Sequence, residues 1–177
     1  MRLMSYTFAL LLAIASPLAG AAGGPAPQSA LAAAMSAPKA GRIDAAARER
    51  LVGEHLMTLQ WIDWGDLSRA GRVTVKPDGK ALSLVGEERG TDDTAGDYVR
   101  INGKIVSADA RSFVFNGDIV MRVASNGDGS ECRRSGTMHF LATGTRRYWR
   151  LQEMKSPCSE VTDYVDIYFL DVRAGGS

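Results

Sequence analysis

The sequence predicts an all-β protein. The expected architecture is a small antiparallel up-and-down barrel of about eight to ten strands with a short N-terminal helix; the alternative is a two-sheet β-sandwich. Three observations carry this. Short runs after Gly53 alternate apolar and polar residues with the period of a strand. Turn dipeptides punctuate those runs at Asp78-Gly79, Asn102-Gly103, Asn116-Gly117 and Gly144-Thr145. Tight turns join neighbours in space, and a long meander tends to curl and close, which removes its edges. Finally, the two cysteines, Cys132 and Cys158, straddle one strand pair.

The chain starts with the pattern of a signal peptide over residues 1–21. Arg2 is the positive n-region, Phe8–Ala15 the apolar h-region, and Ala19-Gly20-Ala21 a small-residue cleavage site. The apolar run is too short to span a bilayer. Ala21 stands where a lipidated cysteine would be, so a freely released export product is expected. Residues 22–42 are rich in Ala, Gly, Pro and Ser and read as a disordered linker, unable to bury enough apolar surface to offset ordering. Residues 43–173 form the expected barrel domain, and residues 174–177 a flexible tail.

Within the domain, Ile43, Ala47 and Leu51 share one face of a short helix. Met57, Leu59 and Trp61 then alternate with Leu56, Thr58 and Gln60 as a half-buried strand. A two-residue Asp78-Gly79 turn pairs Val75 with Leu82 and Val73 with Leu84, making one face apolar. Asn102-Gly103 and Asn116-Gly117 read as two further hairpin turns. With Gly144-Thr145 as a turn, Phe140 faces Trp149, Met138 faces Leu151, and Cys132 falls beside position 157. The hairpin that best pairs the apolar residues thus brings the sulfurs together at its open end. In the chain-entropy picture, a loop of roughly 25 residues closed this way adds about 3–4 kcal/mol. Val165, Ile167 and Phe169 face inward from a last strand, with Tyr164, Asp166 and Tyr168 outward.

Composition narrows function by exclusion. The formal charge is +1, near neutral once Arg2 leaves with the leader, so there is no basic excess to attract nucleic acid or anionic membrane. The two histidines, His55 and His139, read as rim or surface residues. There is no G-x-S-x-G elbow, phosphate loop, C-x-x-C or metal-ligand spacing. Catalytic residues, metal and cofactor are therefore expected to be absent. Asn126–Glu131 is oxygen-rich like a calcium loop but lacks the full spacing, and reads as a turn. Asp92, Asp93 and Asp97 read as a solvated acidic loop.

Two sets of residues are candidates for binding. Trp61, Phe140 and Trp149 would either line or fill the interior, and a roomy interior would take a small apolar ligand. Arg146, Tyr148 and Arg150 share one face of their strand with His139 next door, a cationic and aromatic stripe suited to a partner's carboxylates. The expectation is an exported, periplasmic or extracellular, non-enzymatic binding module for a small apolar ligand in or at the mouth of the barrel. The alternative is a protein-interaction role, such as inhibition of a secreted hydrolase.

The stretch Arg147–Met154, Pro157-Cys158 and Val161–Tyr168, with Trp61, Leu82-Ser83-Leu84, Gly96-Asp97-Tyr98, Ile101-Asn102-Gly103, Phe113–Ile119 and Cys132 upstream, resembles a recurring block in small secreted bacterial proteins of unknown function. That resemblance implies export and a shared fold and transfers no site. The architecture is similar to calycin-like barrels, but Glu54-His55 follows Gly53 where lipocalins carry a G-x-W entry motif. Thr143–Tyr148 resembles the S-G-x-x-Y loop of periplasmic lysozyme inhibitors.

Overall fold

The alternation after Gly53 is a strand signal, and in the computed structural model it builds eight antiparallel strands in one closed barrel, each paired with its neighbours in sequence. The structure describes residues 41–63, 65–126 and 128–171. The expected leader, most of the linker and the tail lie outside these. A short helix, α1 (Ala45–Leu51), precedes β1 (Gly53–Leu59), a one-turn helix α2 (Gln60–Asp63) and β2 (Gly71–Asp78). Then follow β3 (Ala81–Arg89), β4 (Tyr98–Ala108), β5 (Ser112–Arg122), β6 (Glu131–Leu141), β7 (Tyr148–Leu151) and β8 (Val165–Tyr168). The barrel closes where β8 pairs with β1, Ile167 opposite Met57 and Val165 opposite Leu59. Residues alternate inward and outward along the strands, apart from the register shift between Ile105 and Ser107 in β4, and the inward set is almost wholly aliphatic and aromatic.

The two Asn-Gly pairs are not turns. Both lie mid-strand, and Gly103 stands directly opposite Gly117 across β4 and β5. A Cβ on Gly103 would meet the Asn116 carbonyl at 2.4 Å and Phe115 Cζ at 2.7 Å. The Phe115 ring occupies the space the two missing side chains leave, so these glycines serve close packing rather than chain reversal. The true β4–β5 turn is Asp109–Arg111. There the Asp109 carboxylate accepts from the amides of Arg111 and Ser112, both at 2.8 Å.

Two registers differ from the sequence expectation, each by two residues, which keeps every side chain on its expected face. Val75 opposes Leu84 because Gly79-Lys80 is the two-residue turn. Gly79 has φ 60°, the sign a type II′ turn asks of its first central residue. Phe140 opposes Leu151 rather than Trp149. Cys132 and Cys158 do form a disulfide, with Cα atoms 6.0 Å apart. The strand, however, ends at Leu151, and Cys158 comes from a small hairpin-like excursion over residues 154–163, held by Ser156 N to Val161 O at 2.9 Å and Asp163 N to Met154 O at 2.7 Å.

β1 is buried on both faces rather than half-buried, and Trp61 has left the strand for α2. Two ends result. At the lower end, where β1 begins, α1 packs Ala47 and Leu51 into the core, and Asp44 N donates to Ala108 O at 3.1 Å. At the upper end lie α2, loop residues 123–126 and 128–130, and the disulfide-pinned 154–163 segment.

Candidate functional site

Phe140 and Trp149 fill the interior. Phe113 stacks on Phe140 at 4.7 Å, and its edge contacts Trp149 at 5.7 Å. Trp149 also meets Phe169 at 4.4 Å and His55 at 5.8 Å. Eight strands enclose just enough room for such side chains. Trp61, the third expected member, sits in α2 at the upper end, partly buried against the core.

His55 is an interior residue, not a rim one. It is in phase with Met57 and buried, its Nδ1 2.8 Å from Tyr168 O and its Nε2 2.7 Å from Leu51 O. It ties the C-terminal turn of α1 to β8.

The expected outer stripe is divided. Arg150 forms a bidentate pair with Asp166 at 2.7 and 2.8 Å, and its guanidinium lies over the Tyr164 and Tyr148 rings at 4.2 and 5.2 Å. The Asp166 hydrogen bonds raise the Arg150 pKa further. Arg150 is thus a structural ion pair covered by tyrosines, leaving little of it for a partner. His139 is placed with Glu153 (Nδ1 to Oε1, 2.7 Å) and not with the arginines. Arg146 is exposed at the lower end, over the Tyr148 ring at 5.6 Å.

The polar groups that sequence reasoning missed converge at the upper end. Glu87 and Arg89 face outward, so the strand period turns Glu88 inward. Glu88 is fully buried, and its Oε2 accepts from Leu59 N at 2.6 Å. Burial, reinforced by nearby Asp63, pushes its pKa up to about 8 against the pull of that hydrogen bond. Arg134 faces inward from β6 for the same reason, opposite Ile119, and lies 3.5 Å from the Asp163 carboxylate. Trp61 Nε1 donates to Asp163 Oδ1 at 3.2 Å. Asp163 is 1 % exposed, and burial raises its pKa against the bonds from Trp61 and Ser156 and the charge of Arg134.

These groups are only partly satisfied. Asp63 Oδ2, Glu88 Oε1 and Arg134 Nε are buried with no hydrogen-bond partner among the described residues, while Asp163 Oδ2 has the Arg134 guanidinium at 3.5 Å. Buried polar atoms without partners are costly, and here three gather at one end. Asp163 borders a cavity of about 360 Å³. Met121, Val123, Val161 and the Cys132–Cys158 disulfide supply apolar wall, Asp163 a buried carboxyl, and Asn126, Asp128 and Ser130 a polar side. The oxygen-rich loop is therefore part of this mouth; among the described residues it forms no cluster of metal-ligating side chains. Asp97 is also buried rather than solvated, capping Ala124 N at 2.8 Å. It anchors the same loop.

A sequence model of the PM1083 family matches residues 39–169, which takes in the whole barrel. The chain belongs to the PM1083 family. It is 41% identical over 120 residues to "Uncharacterized protein PM1083" of Pasteurella multocida (strain Pm70), covering 68% of this chain and 74% of that relative. No solved structure matches the chain. The family assignment thus spans both the mouth and the lower end.

Among the described residues, no helix is long and apolar enough to cross a membrane.

Proposed function

We propose that this PM1083-family protein is an exported, non-enzymatic, calycin-like binding module whose ligand seats in the upper mouth of the barrel. The observation that carries the reading is Asp163. A fully buried carboxyl, accepting from Trp61 Nε1 and 3.5 Å from the Arg134 guanidinium, borders a cavity of about 360 Å³, within the range of small-molecule sites. The ligand it fits is a small molecule with a hydrogen-bond donor for Asp163 and an apolar portion for Met121, Val123 and Val161.

The positions of the reactive residue types support binding over chemistry. His55 is locked between two carbonyls at the opposite end, His139 is paired with Glu153 on the outer face, and both thiols are consumed in the disulfide. The disulfide and the leader pattern support export to an oxidising compartment.

Native mass spectrometry of the protein purified from the periplasm tests this. A reproducible small-molecule adduct is expected, lost in Asp163→Asn while the thermal melt stays cooperative. A bare mass, together with no thermal shift from a panel of small amines and alcohols, would refute the reading.

A further inference from the structure

The lower end carries a second, oppositely charged feature. An open groove of about 660 Å³ runs between α1, the β4–β5 turn, the β6–β7 turn and the chain after β8. Four guanidiniums from three of these elements line it: Arg50, Arg111, Arg146 and Arg147. Phe169 forms part of its wall, and Arg50 stands 5.5 Å above that ring.

The way these arginines are held matters. Arg50 Nη1 donates to Ala110 O at 3.0 Å, and Arg111 donates to Ala142 O at 2.9 Å and Gly144 O at 2.6 Å. Carbonyl oxygens fix a guanidinium in place without cancelling its charge, and each leaves donors free out of five. Arg146 rests over the Tyr148 ring. Arg147 pairs with Asp171. Among the described residues, no salt bridge joins Arg50, Arg111 or Arg146 to a carboxylate, although Glu49 and Asp171 also border the groove and the Arg146 charge acts on Asp166. Elsewhere on the barrel most arginines are paired with acids, as at Arg42, Arg69, Arg72, Arg89 and Arg133.

We propose that this groove is a docking site for an acidic polypeptide segment of a partner protein. Guanidiniums held by carbonyls rather than by carboxylates, as Arg50 and Arg111 are, match carboxylates bidentately. An open groove would leave much of a small ligand in water, whereas an extended chain can set successive carboxylates against arginines from separate elements. Phe169 then offers contact to an apolar side chain within the acidic run.

The test is fluorescence anisotropy of the full-length protein with a labelled hexapeptide of four Glu, one Phe and one Gly. A matched peptide with Lys for Glu and inorganic phosphate as competitor complete the set. The acidic peptide is expected to bind, with affinity falling as salt rises, and the Lys peptide not. Arg50→Gln and Arg146→Gln should each weaken binding several-fold, and the double variant at least about tenfold, the scale of charge-assisted hydrogen bonds. Lys76→Gln, with the same charge change on an exposed strand position, should leave binding unchanged. Thermal melts confirm that each variant folds. The proposal is overturned if the acidic peptide does not bind or if Lys76→Gln weakens it as much as the arginine changes. It is equally overturned if phosphate binds the groove where the peptide does not, which would make it a site for small anions.

Discussion

Glu88→Gln separates the cost of a buried carboxyl from everything else in the mouth. The Glu88 pKa rises from 4.5 to about 8 in the fold, roughly 3.5 units at about 1.4 kcal/mol each, so ionising it inside costs about 5 kcal/mol. The sign follows from which state releases its proton first. Below pH 4.5 both states hold the proton and stability is fully present. Between 4.5 and about 8 the unfolded chain ionises while the folded one does not, so stability falls as pH rises. Above about 8 the loss is complete. Gln keeps an oxygen to accept from Leu59 N and never ionises. Urea unfolding of both proteins from about pH 5 to about pH 9 reads this directly. Asp163, whose raised pKa acts in the same direction, is common to both and cancels in the difference. The wild type should lose stability relative to Glu88→Gln by about 1.4 kcal/mol per pH unit across the window. Parallel curves would refute the assignment of Glu88 as a buried, neutral carboxyl.

Three further outcomes are expected. Gly103→Ala forces a Cβ to 2.4 Å from the Asn116 carbonyl and should cost about 1–3 kcal/mol or more, seen as a lower melting temperature. Cys132→Ser with Cys158→Ser opens a loop with a sequence separation of 26; denaturant titration should show a loss of about 3–4 kcal/mol. Arg150→Leu leaves Asp166, 2 % exposed, without its counter-charge and should cost about 3–5 kcal/mol, while adding Asp166→Leu recovers most of it; a double-mutant cycle by chemical denaturation measures both.

The legible part of the fold was whatever depends on the face of a strand. Val73, Val75, Leu82, Leu84, Met138, Phe140, Trp149, Leu151, Val165 and Ile167 are all buried as their alternation requires. A register error of two residues leaves that inference untouched. What local chemistry could not decide was whether Asn-Gly turns the chain or lies within a strand. That depends on the partner strand, since Gly103 has a structural role only because Gly117 and Phe115 meet it. The candidate site was less legible. Trp61 was singled out, but its partner Asp163 comes from 102 residues away. Glu88 and Arg134 look like ordinary surface charges on strands. A signal was nevertheless present: both lie in phase with inward apolar neighbours, Leu84 and Met138.

The filled interior decides where function can reside. Phe113, Phe140 and Trp149 fill the barrel toward its lower end, and the facing glycines admit the Phe115 ring. The two ends differ in charge: a buried acid at the mouth, and at the base a set of arginines of which Arg50 and Arg111 are held by carbonyls. Because rigid, packed strands separate them, Asp163→Asn and Arg146→Gln should be additive in stability and each silent in the other's binding assay. A coupling between the two would require the core to have alternative packings, and its aromatic contacts argue for a single one.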